Sequence, residues 1–103
     1  MAFTDAEKHL IFGLFQSVQP HLRNPREGSL ALAGAMDRIQ RDCPERDDLL
    51  HVQMAAQYVI HGLDQIIQAK DWNSPQEKAH VLDGRQQAQA VLDKAAQLLA
   101  AQA

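Results

Sequence analysis

The chain has 103 residues and a net charge of −3, with 46% hydrophobic, 22% charged and 5% aromatic residues. That length holds one domain but not two, the balance is that of a globular chain rather than a disordered one, and so few aromatics require an aliphatic core. The acidic balance argues against a nucleic-acid ligand, whose phosphates need a basic face.

Four helices are predicted and no strand, because no alternating apolar–polar run lasts four residues between turn signals. The first spans residues 5–19. Thr4-Asp5-Ala6-Glu7 has the form of a capping box. Leu10, Ile11, Leu14, Phe15, Val18 and Leu22 follow on one stripe at helical spacing. Pro20 ends or kinks this helix, because its ring clashes with the preceding turn. Phe12 faces away from the stripe, beside His9, Gly13 and Gln16. "RNPREG" reads as a loop, and Ser29 as the cap of a second helix over residues 30–42 with Leu32, Ala35, Met36 and Ile39 inward. Pro44 closes it and suits the first turn of the third helix.

The third helix is expected over residues 45–69. Leu49, Val52, Ala56, Val59, Leu63 and Ile66 repeat at alternating steps of three and four, a heptad seam reinforced by Ile60 and Ile67. "KDWNSPQEK" is a hinge, in which Ser74-Pro75-Gln76-Glu77 sets a cap, a proline at the first helical position and a glutamate at the third. The last helix covers residues 75–101, with Val81, Leu82, Ala88, Val91, Leu92, Ala95, Leu98 and Leu99 as its apolar side. Amphipathic helices joined by short loops bury their stripes most simply as an all-α, antiparallel four-helix bundle, a single domain over residues 1–103.

The third helix has a second patterned face. His51, Met54, Tyr58, His61 and Gln65 step along the side opposite the seam. Two readings fit. The helix is central and touches neighbours on two sides, or the strip is a binding surface, with Met and Tyr as interface-core residues and His and Gln as adaptable hydrogen-bonding groups. On the binding reading, the occupant is a different protein or a second copy of the chain. The acidic residues Glu45, Asp47 and Asp48 at the head of the same helix suit its positive N-terminal end and are candidate contacts for a cationic partner.

Little else points to chemistry. The histidines His9, His21, His51, His61 and His80 are never three or four residues apart, so no helical pair is set to chelate a metal. The five glycines are isolated and form no phosphate loop. Nothing reads as a nucleophile with its base and orienter. Glu7/His9 and Asp83/Arg85 read as ordinary surface neighbours. The expectation is a protein that is not an enzyme and needs no cofactor or metal. Cys43 is the only cysteine, no apolar run reaches the length of a membrane span, and the N-terminus lacks a signal-peptide pattern, so a cytoplasmic protein is expected.

From Leu30 to Ile67 the chain carries a helix ending in Asp37-Arg38, a break at Pro44, the pair Leu49-Leu50, and Gln57-Tyr58-Val59. In these features it resembles small helical immunity proteins that protect bacteria from NAD(P)-hydrolysing toxins delivered by the type VI secretion system. The resemblance implies a binding protein that occludes a cognate toxin's active site, with Tyr58 inside the matched segment. The alternative is a homo-oligomeric helical adaptor or secretion chaperone that uses the same strip against its own copy.

Overall fold

The computed structural model describes residues 2–69 and 74–102. Its helices are α1 (Asp5–Val18), α2 (Pro25–Gln40), α3 (Arg46–Ala69) and α4 (Pro75–Gln102), with one 3₁₀ turn at Gln19–His21. Local chemistry explains most of the boundaries. The Glu7 N–H donates to the Thr4 hydroxyl (3.1 Å) and the Thr4 N–H donates to the Glu7 carboxylate (2.7 Å), which completes the capping box. At Pro20 the chain tightens into the 3₁₀ turn, closed by the Leu22 N–H on the Gln19 carbonyl.

The second helix begins earlier than the sequence indicates. Pro25 is its first residue, and Ser29 lies inside it, accepting a hydrogen bond from the Gln19 amide at 2.8 Å rather than capping. Proline and glycine in "RNPREG" imitate a loop, but each has a helical use here. Pro25 sits where no intrahelical N–H partner exists, and its fixed φ suits a first turn. Gly28 leaves room for Leu22, whose Cδ1 would lie 2.6 Å from any Cβ at that position. Leu22 therefore closes the α1–α2 corner instead of extending the α1 stripe.

A Schellman motif ends α2. The Cys43 N–H bonds the Arg38 carbonyl (3.0 Å) and the Asp42 N–H bonds the Ile39 carbonyl (3.1 Å), with Asp42 left-handed at φ 59°. At the head of α4, the Glu77 N–H donates to the Ser74 hydroxyl at 3.3 Å, as the cap pattern requires. Residues 70–73 of the expected hinge lie outside the described residues.

The four helices form an all-α bundle in which sequential neighbours run antiparallel. Lys8 near the start of α1 donates to the Gln40 carbonyl at the end of α2, and Gln19 meets Ser29 at the other end. Arg38 near the end of α2 reaches Asp48 in the first turn of α3, and Asp64 late in α3 takes Arg85 early in α4. Lys94 of α4 returns to α1, donating to Glu7 at 2.7 Å while lying 5.7 Å above the buried Phe3 ring. Glu7 and Arg85 are thus inter-helix ties, not the idle surface neighbours the sequence implied. α3 is the hub: α4, α1 and α2 all pack on it, α1 also meets α4, and α2 and α4 do not touch among the described residues.

The core occupies only part of the length of α3. Leu49, Val52, Ala55, Ala56 and Ile60 are buried, but nothing after Ile60 is. On α4 the buried residues are Ala88, Val91 and Ala95, and nothing before Ala88 is buried. The far ends of α3 and α4 therefore form a two-helix arm. At 1.5 Å per residue the α3 part reaches about 14 Å past Ile60. This corrects the seam as read from the sequence: Leu63 is half-buried, and Ile66, like Leu82 of α4, is exposed. The cause is length. With 14 residues α1 is too short to cover a helix of 24.

Candidate docking face

The strip on α3 is an open surface, not a second packing seam. Met54 and Tyr58 are 37% and 44% exposed, and His61 and Gln65 are exposed beyond them. Leu50, 42% exposed, belongs to the same row and was missed as a site residue. Its leucine pair with Leu49 hid it, yet at about 100° per residue the two point well apart. Leu49 goes to the core at 0% exposure, and Leu50 goes out with Met54.

Neighbouring groups hold parts of the row in place. The His21 ring, brought round by the 3₁₀ turn, lies against Tyr58 with centroids 5.3 Å apart and planes 35° from parallel. That contact steadies the Tyr58 ring while 44% of the residue stays exposed. Gln65 Nε2 lies 3.2 Å from His61 Nε2. His51 stands at the edge of the strip and is half-buried, and its Nδ1 is buried with no hydrogen-bond partner among the described residues.

The face is also free of formal charge. Between Leu49 and Ala69 the only charged residue is Asp64. Its carboxylate accepts from Nε and Nη2 of Arg85, which lowers its pKa and raises that of Arg85. An uncharged, partly apolar row on a helix backed by core costs little to desolvate, which is what a docking surface requires.

The acidic residues at the head of α3 divide. Glu45 and Asp47 are exposed and stay available to a cationic partner. Asp48 does not: it is 1% exposed and fully engaged. Arg38 Nε and Nη2 donate to its two oxygens at 2.6 and 2.7 Å, and the Glu45 N–H donates to Oδ2 at 2.8 Å. The Arg38 hydrogen bonds outweigh burial and, with the Glu45 N–H, hold the Asp48 carboxyl below its ordinary value. Asp48 is a structural residue that caps α3 and clamps it to α2. Asp37-Arg38, part of the family resemblance, thus contributes its arginine to packing.

Among the described residues no group of three or more His, Cys, Asp or Glu is placed to hold a metal ion, and no helix is long and apolar enough to cross a membrane. Cys43 is exposed on the link between α2 and α3. A groove of about 160 Å³ runs between α1 and α2, lined by Phe12, Phe15, Leu32, Ala33 and Met36 among others. Phe12, which faced away from the α1 stripe in the sequence, is exposed on its rim. Comparison of the chain with protein-family models, with curated proteins and with solved structures finds no match.

Proposed function

We propose that this protein is a binding module whose α3 face docks on another protein, and that it serves in the cytoplasm as an immunity protein covering the active site of a cognate bacterial toxin. The observation that carries the docking reading is the exposed row Leu50, Met54 and Tyr58 on a helix whose other side is core. The toxin as occupant rests on the resemblance through Asp37-Arg38, Pro44 and Gln57-Tyr58-Val59. Glu45 and Asp47 at the head of the row would meet cationic groups on the rim of such a partner. Function on this reading is complementarity, and no catalytic residue is needed.

The test is co-expression with the product of the adjacent gene. Tyr58 presents 44% of its surface; for an aromatic of roughly 200 Å² that is about 90 Å², worth about 2 kcal/mol when covered. Tyr58→Ala is therefore expected to weaken the complex about 30-fold while circular dichroism stays unchanged, and Met54→Asp to abolish it. A neighbouring gene whose product neither binds nor poisons the cell would overturn the immunity reading. A complex indifferent to both substitutions would overturn the α3 face.

A further inference from the structure

The most exposed large apolar residue among those described is not on α3. It is Leu30, on the outer side of α2, with 70% of its surface free. Leu30 belongs to a stripe. Arg26, Leu30, Ala33 and Asp37 are spaced four, three and four residues apart within α2, all are exposed, and at about 100° per residue they fall within about 60° of one another. The stripe is basic at its N-terminal end, apolar in the middle and acidic at its C-terminal end. Arg26 makes no ion pair among the described residues. The Asp37 side chain pairs at 3.4 Å with Arg41, the residue just past the end of α2, and more than half of it is exposed.

Such a stripe is complementary to itself when reversed. A single antiparallel register sets Arg26 against the copy's Asp37 and Leu30 against the copy's Ala33, each pair occurring twice about an axis that crosses between Ala31 and Leu32. An isologous two-fold contact needs this property, since every residue must find its partner on the same patch of the other molecule. The register also opposes the two helix dipoles. Ala33 is small enough for the helices to approach to the 8–10 Å of ordinary helix packing. Phe12, which is exposed, lines the same α1–α2 groove as Ala33 and adds apolar surface next to the stripe.

We propose that the outer stripe of α2 is a self-association surface, through which two copies of this chain pair antiparallel with Arg26–Asp37 contacts at both ends and Leu30 on Ala33 at the centre. One helix pair with a rim from α1 falls below the area of a permanent dimer, so the association is weak and reversible. It uses a different face from the α3 row and does not depend on the docking reading.

Sedimentation equilibrium of the full chain from micromolar to millimolar concentration tests it. The weight-average mass is expected to climb from the monomer value of 11.5 kDa toward twice that, and to climb less at raised salt. Leu30→Glu, at a site too exposed to affect folding, should hold the mass at the monomer value. Arg26→Glu and Asp37→Arg should each weaken association several-fold, and the double variant, which carries the same pair inverted, should recover it. Tyr58→Ala should leave it unchanged. A monomer mass throughout the range would overturn the proposal. So would association that survives Leu30→Glu, that is not rescued in the double variant, or that is lost with Tyr58→Ala.

Discussion

Ile60 and Ile66 lie on one helix, Ile66 in its heptad seam and Ile60 beside it, and the same substitution in each should give very different results. Ile60 is 8% exposed at the end of the core, and Ile66 is 47% exposed on the arm. Truncating Ile60 to Ala removes three buried carbons and leaves a cavity against the core, for a cost of about 3 kcal/mol. At Ile66 the transfer term for three carbons, roughly 2.4 kcal/mol if fully buried, is cut to about 1.3 by exposure. Water fills the gap, so no cavity term is added. The better helix propensity of Ala returns about 0.4 kcal/mol, for a net cost near 1. Urea denaturation of the two variants, with the m-value checked against wild type, reads the difference directly. Equal costs would mean that Ile66 is as tightly packed as Ile60 and that the core runs the full length of α3, contrary to the arm described above.

Two further predictions concern the ends of α2 and α3. Asp48, Glu7 and Asp64 all have lowered pKa values, the first and last through their arginine partners. For Glu7, burial pushes upward, and hydrogen bonds from Lys94 and Thr4 more than offset it. A depressed carboxyl stabilises the fold above its unfolded-state value, near 3.8 for Asp, and that stability is lost as pH falls through the lower folded value. Denaturation midpoints should therefore drop steeply below pH 4 or so, and Asp48→Asn should be less stable at neutral pH with a shallower acid limb; an unchanged acid limb would argue against the clamp. At the Schellman turn, Asp42 holds φ 59° and an ion pair to Lys8 at 3.0 Å. Asp42→Gly should be more stable than Asp42→Val by about 1–2 kcal/mol, because only the β-branched residue is strained in the left-handed region. Thermal unfolding of the pair checks this, and a Val variant as stable as the Gly one would contradict the assigned turn.

The surface positions and the buried clamp were legible to different degrees. Met54 and Tyr58 follow from phase: they lie opposite a seam, and helical periodicity shows that without any neighbour. Whether a second neighbour covered them did not follow, because nothing local to α3 states where α1 and α2 stop. Asp48 carried no distinguishing mark. Glu45, Asp47 and Asp48 are three acids in one turn, and only the arrival of Arg38 from another helix made one a buried clamp and left the others in solvent. Leu50 was obscured by its pairing with Leu49, although the turn angle separates them.

The number of helices, the caps at Thr4 and Ser74, the breaks at Pro20 and Pro44 and the inward face of each element are properties of residues within a few positions of one another and are legible in the sequence, whereas the start of α2 at Pro25 depends on Leu22 packing over Gly28. The depth of burial along a face is not local. The heptad pattern of α3 is as regular at Ile66 as at Val52, but one lies in solvent and the other in the core. That difference arises in the assembled bundle, because coverage depends on how far a short neighbour extends and on which charges its end brings with it.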